Sequence, residues 1–217
     1  MICGVDEAGK GPVMGPLVVA AVAVNNAKEI ENLGIRDSKL LTKTKRKELA
    51  EIIKKKFIFE VEVIEPQKVD EYRKKNKLND LNREAFTKLI SKLNPNIAYV
   101  DAADVNEQRF GLQIKSGLTN QKDTDIISMH KADAKILVVA AASIIAKETR
   151  ESEISKLKDE IGDFGSGYPS DERTIKFLKS FYSDNNKWPT GTRKSWKTLE
   201  RIRPVKTLND FGVNNDK

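Results

Sequence analysis

Apolar and polar residues follow one another in blocks that predict strands first and helices later. Valine-rich runs at residues 2–5 and 13–24, divided by a Gly-Pro turn, predict the two strands of a hairpin. Residues 57–64 alternate apolar and acidic side chains, a pattern typical of a half-exposed strand. Short apolar runs at 97–100 and 124–129 predict two more strands.

Helical patterns occupy the segments between and after these strands. Thr42 is a predicted N-cap, and residues 78–93 place apolar side chains on one helix face. The predicted helices lie at about residues 42–56, 67–75, 78–93, 133–160, 171–182 and 194–202. An early hairpin followed by strands alternating with helices predicts an α/β fold: a mixed sheet flanked by helices, with a small C-terminal helical appendage.

Composition limits the class of protein. The 217 residues include 39 Lys and Arg against 32 Asp and Glu, a net charge of +7 that weakly favours a polyanionic partner. The single cysteine, Cys3, excludes an internal disulfide and a thiolate metal site. We see no secretion signal, and the apolar run at 136–146 is shorter than a membrane span. We therefore expect a cytoplasmic protein.

Acidic residues follow three of the apolar segments. Asp6 and Glu7 follow the first strand, Asp101 follows the run at 97–100, and Asp133 comes shortly after the run at 124–129. Strand ends in α/β sheets gather at one ligand-binding edge. Carboxylates brought together there repel one another, and a hard divalent cation such as Mg²⁺ or Mn²⁺ removes that cost. We expect the first strand to end at Asp6, so that both neighbouring acids reach the site.

The turn after these acids, Gly9-Lys10-Gly11, suits a phosphate. Glycine lets the backbone approach a ligand, and Lys10 adds a positive charge. Together with the acids, this turn suggests metal-assisted phosphodiester hydrolysis. The pattern alone leaves a second interpretation open, since a lone acid at a strand end is often a turn residue or a helix cap, and Asp133 suits an N-cap.

Six short motifs, in their order along the chain, resemble ribonuclease HII (type 2 ribonuclease H) of the archaeal-like branch. They are DEAGKGP at 6–12, DSK at 37–39, YVD at 99–101, HKADAK at 130–135, GSGYPSD at 165–171 and SWKT at 195–198. The resemblance implies a ribonuclease H-like fold with a catalytic domain at 1–163 and a C-terminal helical substrate-holding segment at 164–217.

The resemblance also implies an activity and a metal site. Members of the family hydrolyse the RNA strand of RNA/DNA hybrids and incise at single ribonucleotides in duplex DNA, leaving 3′-hydroxyl and 5′-phosphate ends. Two metal ions, Mg²⁺ or Mn²⁺, carry out this hydrolysis. The family's catalytic and metal-binding carboxylates fall on Asp6, Glu7, Asp101 and Asp133. We expect a monomer.

Substrate-binding residues follow from the same resemblance. The family's glycine-arginine-glycine element, which senses the ribose 2′-hydroxyl largely through backbone groups, falls on Gly9, Lys10 and Gly11, with Lys10 in place of arginine. The tyrosine that stacks on the sugar at the RNA–DNA junction falls on Tyr168. Ser38 and Lys39 are candidate phosphate-binding residues, although a solvated loop explains them equally well.

Other residues receive weaker assignments. Arg193, Lys194 and Lys197 form a candidate DNA-holding patch near Trp196, which we expect to pack in the helical appendage rather than stack on a base. His130 stays outside the catalytic set as a structural hydrogen-bonding residue. The tail after Val205 contains Leu208 and Phe211 without a clear sliding-clamp motif. Two rival functions are a ribonuclease H-like nuclease that cleaves DNA alone and a nucleic-acid-binding module without catalysis.

Overall fold

The structure, a computed structural model, describes residues 1–35, 41–119 and 123–203. Within these residues the strands form one mixed sheet of five, in the order β3-β2-β1-β4-β5. The strands are β1 (Ile2–Ala8), β2 (Leu17–Val24), β3 (Ile58–Ile64), β4 (Ile97–Asp101) and β5 (Asp125–Met129). β2 pairs antiparallel with both β1 and β3, whereas β4 pairs parallel with both β1 and β5. The expected hairpin and the mixed α/β sheet are confirmed.

Helices cover both faces of this sheet. They are α1 (Lys28–Glu31), α2 (Lys43–Lys56), α3 (Pro66–Lys74), α4 (Leu78–Leu93), α5 (Glu107–Gly117), α6 (Ala132–Lys135), α7 (Leu137–Ile161), α8 (Glu172–Asn185) and α9 (Lys197–Ile202). The predicted N-cap is confirmed, because the Thr42 hydroxyl accepts a hydrogen bond from the Lys45 N–H at 3.2 Å. The sequence pattern missed α1 and α5.

The single long helix predicted at 133–160 is wrong. Ile136 has extended backbone angles, φ −122° and ψ 113°, which separate the short α6 from the long α7. The interruption separates α6, which contacts β4, from α7, which packs against β1 and β2. Asp133 therefore lies on α6, close to the strand ends.

Two apolar clusters stabilise the sheet, one on each face. Alternate residues of β1 divide between them: Cys3 and Val5 belong to the cluster that includes α4 and α5, and Ala8 belongs to the cluster that includes α2 and α7. Both faces of β2 are buried, so all eight of its residues are apolar. The sheet is thus sandwiched between two helical layers.

The C-terminal residues pack against the same apolar cluster as α4. Phe164, Leu178 and Trp196 are members of it, and a β-bridge joins Met14 to Thr192. The C-terminal helical appendage is therefore in direct contact with the chain that follows β1. The domain boundary between residues 163 and 164 stays a prediction.

Two further observations concern the predicted segments. None of the helices in the described ranges is long and apolar enough to cross a membrane. The DSK motif with Ser38 and Lys39 lies outside the described residues, as does the tail with Leu208 and Phe211.

The contact between β1 and α7 generates a stability prediction. A Cβ atom on Gly4 would lie 2.3 Å from the Val138 carbonyl carbon, in the backbone of the helix. Because backbone atoms cannot move aside cheaply, we expect Gly4→Ala to lower the free energy of unfolding by about 3 kcal/mol or more, measured by urea denaturation.

Gly34→Ala is the comparison variant for this prediction. Gly34 has a φ of +66°, and a Cβ atom there would lie within 4 Å of no atom in the described part of the chain, so the substitution mainly tests backbone strain, at a cost of about 1–2 kcal/mol. A smaller loss for Gly4→Ala than for Gly34→Ala would contradict the close packing of α7 on β1.

Candidate active site

Asp6 and Glu7 both belong to β1, which continues to Ala8. The backbone pairs Asp6 with Ala20 and Glu7 with Val19 of β2, so the expectation that the strand ends at Asp6 is wrong. Successive side chains of a strand point to opposite faces. Asp6 accordingly lies on the α7 face and Glu7 on the α4 face, at the same end of the sheet.

The Asp6 carboxyl is buried among other acids. Burial raises its pKa well above the usual range, and the negative charges of Glu7 and Asp101 raise it further. The Ser143 hydroxyl of α7, which has no well-formed hydrogen bond within the described residues, lies close enough to oppose this rise. Asp6 is therefore a carboxylate that needs a positive charge nearby in order to stay ionised.

Glu7 has the same requirement. Burial raises its pKa to about 7, the Lys10 ammonium opposes the rise, and Asp101 and Asp133 add to it. Its Oε2 atom is buried and has no hydrogen-bond partner in the described part of the chain. An unpaired buried carboxylate oxygen is costly, so Glu7 Oε2 is a candidate contact for a bound cation.

Asp101 ends β4, the parallel neighbour of β1, and its carboxylate orders the segment that carries Asp133. The Ala132 N–H donates to Asp101 Oδ1 at 2.9 Å. Lys131, just before Ala132, has a left-handed backbone with φ 56°. This turn and hydrogen bond place the first turn of α6 beside the end of β4, with Asp133 buried.

The structure thus brings the four predicted carboxylates, Asp6, Glu7, Asp101 and Asp133, to one end of the sheet. Among the described residues, no three His, Cys, Asp or Glu side chains already have the arrangement of a metal site. The donor set nevertheless fits a hard divalent cation. All four groups are oxygen ligands, and their mutual repulsion falls when a cation binds.

The Gly9-Lys10-Gly11 turn follows β1 directly. Gly9 has φ +91°, and a Cβ atom there would lie 2.6 Å from Arg150 Nε and 2.7 Å from the Pro16 carbonyl oxygen. Only glycine suits both the backbone angle and the close packing. Arg150 and Pro16 therefore pack closely against Gly9, while Gly11 is exposed.

The Lys10 ammonium is engaged by the protein. Its Nζ donates to Asn79 Oδ1 at 3.0 Å and to the Ala103 carbonyl oxygen at 2.6 Å. It also lies close enough to Glu7 to lower the pKa of that carboxyl. Lys10 therefore connects the turn to the carboxylates.

Tyr168 lies beside this turn. A Cβ atom on Gly11 would lie 3.7 Å from Tyr168 Cε1, and the tyrosine is 40% exposed. The buried Arg150 guanidinium lies under the ring, with its Cζ 5.5 Å from the ring centroid. An exposed aromatic face thus stands next to an exposed glycine turn.

The structure does not place Arg193 in a DNA-holding patch. Arg193 is fully buried, and its guanidinium donates to the carbonyl oxygens of Gly9 at 2.6 Å, Lys10 at 3.1 Å and Gly15 at 2.9 Å. Trp196 is buried, as expected, and its Nε1–H donates to the Gly11 carbonyl oxygen at 3.0 Å.

Sequence reasoning missed the support that Arg150 and Arg193 give to the turn, because an arginine in a polar segment carries no sign that it is buried. Lys194 and Lys197 are exposed and remain available to a polyanion.

His130 has a structural role. Its backbone N–H donates to Glu107 Oε2 at 2.8 Å, and its Nε2 lies 3.2 Å from the Val105 carbonyl oxygen. These contacts join the end of β5 to the start of α5. They agree with leaving His130 out of the catalytic set.

Comparisons with known proteins agree on one family. The sequence matches the family model described as Ribonuclease HII over residues 3–199. It is 45% identical over 207 residues to Ribonuclease HII of Thermococcus sibiricus, covering 92% of this chain and 89% of that protein.

Solved structures give the same result. One is a chain from the PCNA:RNase HII complex of Archaeoglobus fulgidus, with a TM-score of 0.86 at 44% identity, covering 97% of this chain and 100% of that one. Another is ribonuclease H2 from Pyrococcus horikoshii OT3, with a TM-score of 0.86 at 40% identity and coverage of 93% and 96%. The chain belongs to the ribonuclease HII family of metal-dependent endoribonucleases.

Proposed function

We propose that this enzyme hydrolyses the RNA strand of RNA/DNA hybrids and also incises duplex DNA at single embedded ribonucleotides, leaving 3′-hydroxyl and 5′-phosphate ends. The observation that carries this proposal is the position of Gly11 and Tyr168 side by side, connected through Lys10 to the buried carboxylates. A surface that contacts ribose is thus adjacent to a site that suits a cation.

Asp6, Glu7, Asp101 and Asp133 are the residues proposed to bind Mg²⁺ or Mn²⁺. Bound as a pair, such ions supply an activated water and stabilise the leaving oxygen of the phosphodiester. The chain contributes the position of the donors: β1 and β4 fix three of them, and the Ala132 N–H orients the Asp101 carboxylate. The Glu7 Oε2 atom, which is unpaired among the residues described, supports a ligand at this point.

Ribose recognition is proposed to rest on the Gly9-Lys10-Gly11 backbone and on Tyr168. The 2′-hydroxyl is the group that distinguishes RNA from DNA, so a sensor must reach it closely. The Lys10 ammonium already donates to Asn79 and Ala103. This engagement favours recognition by the backbone over recognition by the lysine charge, and it explains how lysine can occupy the arginine position.

A monomer in the cytoplasm suffices for this activity, and exposed lysines such as Lys194 and Lys197 are available to the phosphate backbone. The Archaeoglobus fulgidus relative was solved in a PCNA complex. For this chain a sliding clamp is a partner to test separately, because the tail shows no clear motif for it.

Substrate and metal dependence form the central test. We expect rapid cleavage of a duplex that carries one ribonucleotide, no cleavage of the all-DNA duplex of the same sequence, and loss of cleavage with EDTA that added Mg²⁺ or Mn²⁺ restores. Gel electrophoresis of end-labelled strands measures all three. Cleavage of the all-DNA duplex would favour the DNA-nuclease rival, and no cleavage with either metal would favour the non-catalytic one.

The carboxylate at the end of β4 generates the next prediction. Asp101→Asn keeps the side-chain shape and an acceptor for the Ala132 N–H but removes the charge, so we expect cleavage to fall by more than about 100-fold. Hybrid binding, measured by fluorescence anisotropy, should survive. Asp125→Asn, at the opposite end of the neighbouring β5, is the matched control and should cleave normally. Wild-type cleavage by Asp101→Asn would remove Asp101 from the catalytic set.

The Tyr168 ring generates another prediction. Tyr168→Ala removes the stacking surface, and we expect incision at a single ribonucleotide to fall about tenfold. Tyr168→Phe retains the ring over Arg150 and should retain most of the activity. Thermal melting of each variant gives the structural control. A loss of activity fully explained by the melting temperature would contradict a substrate-stacking role.

A further inference from the structure

Two buried side chains donate hydrogen bonds to all three carbonyl oxygens of the Gly9-Lys10-Gly11 turn. Arg193 donates to the carbonyls of Gly9 and Lys10, and the Trp196 indole donates to the carbonyl of Gly11. The two donors lie together, with the Arg193 Cζ 5.0 Å from the Trp196 ring centroid. The acceptor groups of the turn therefore point into the protein.

The donor groups of the turn are left open. In the residues that the structure describes, the backbone N–H groups of Lys10 and Gly11 have no hydrogen-bond acceptor. Gly11 is exposed, and its surface adjoins Tyr168. The turn consequently presents N–H groups to whatever binds beside the tyrosine.

We propose that Arg193 and Trp196 are positioning residues that fix this polarity, so that the turn donates hydrogen bonds to an oxygen atom of the ribose. This inference rests on the proposed function, in which the turn contacts the sugar. Without the two inward donors, the peptide groups at residues 9–11 could rotate and direct carbonyl oxygens outward. A ribose oxygen acting as acceptor would then meet another acceptor.

The segment that carries both donors is itself rigidly held. Asp70 of α3 accepts hydrogen bonds from the N–H groups of Lys194 at 2.7 Å and Ser195 at 2.9 Å. The Arg193 N–H donates to the Val13 carbonyl oxygen at 2.8 Å. The backbone that carries the Arg193 side chain is thus anchored on both sides.

The cost of this arrangement supports a role beyond packing. The Arg193 guanidinium is fully buried, its acceptors are neutral carbonyls, and burial lowers its pKa to about 9. An apolar side chain would fill the same space without the cost of burying a charge. Only an arginine supplies three nitrogen donors in one rigid fork that can reach three carbonyl oxygens at once.

The test measures how strongly the enzyme prefers a duplex with a ribonucleotide over an all-DNA duplex. Partial unfolding alone would weaken binding to both duplexes equally and leave this preference unchanged. Affinities are measured by fluorescence anisotropy, with Ca²⁺ in place of Mg²⁺, for two duplexes that differ by one ribonucleotide. The readout is the ratio of the all-DNA Kd to the single-ribonucleotide Kd. Trp196→Phe keeps the ring and removes the N–H, and Arg193→Lys keeps the charge and removes the fork. We expect the ratio to fall at least about threefold in the first variant and about tenfold in the second.

Arg73→Lys is the matched control. Arg73 also lies against the Trp196 ring, with its Cζ 4.2 Å from the ring centroid, and its Nε donates to the Ser195 carbonyl oxygen rather than to the turn. The ratio of the two Kd values for Arg73→Lys should stay within about twofold of the wild-type ratio. Affinity for the all-DNA duplex should also stay within about twofold in every variant.

The outcomes separate the inference from the function on which it rests. A wild-type ratio near one would overturn the proposed ribose recognition itself. A wild-type preference that both variants retain would overturn the positioning role and leave the function standing. If a variant binds both duplexes more weakly by the same factor, the residue has a merely structural role. If Arg193→Lys unfolds below the assay temperature, the result for Trp196→Phe decides the question.

Discussion

Electrostatic repulsion among carboxylates at one end of the sheet is the constraint on which this structure depends. β1 and β4 run parallel and bring Asp6 and Asp101 side by side, and α6 adds Asp133. Burial makes the repulsion severe, as the raised pKa values of Asp6 and Glu7 indicate. A fold selected for stability alone would not retain such a group, so the repulsion favours the proposed function, in which a bound cation offsets it.

The opposite side of the site solves a different physical problem, which is to keep a glycine turn in one conformation. Glycine has the largest conformational freedom of any residue, and the proposed ribose sensor needs a fixed backbone. The turn has Arg150 below Gly9 and has Arg193 and Trp196 at its carbonyls. The C-terminal appendage is therefore joined to the turn by hydrogen bonds, through which we propose that it determines which groups the turn exposes.

The sequence predicted local features well and distant contacts poorly. The bounds of α4 and the Thr42 cap follow from local periodicity and capping chemistry, and the four acids follow from strand ends supported by ordered motifs. The break at Ile136 and the continuation of β1 through Glu7 depend on packing against the sheet, which no short window contains. Arg193 acts on residues 178 to 184 positions away, so its burial could not be inferred from its polar neighbours.

The long sequence distance between Arg193 and the turn has a consequence for the order in which the site forms during protein synthesis. All four acids have been synthesised by residue 133, whereas the turn acquires its last supports only when residues 193 and 196 have emerged. Contacts between distant parts of a chain form late, since the intervening segment must first be ordered. During synthesis, the carboxylates proposed to bind the metal can therefore be assembled before the turn that is proposed to contact the ribose. Under the proposed function, selectivity is the last property that the folding chain acquires.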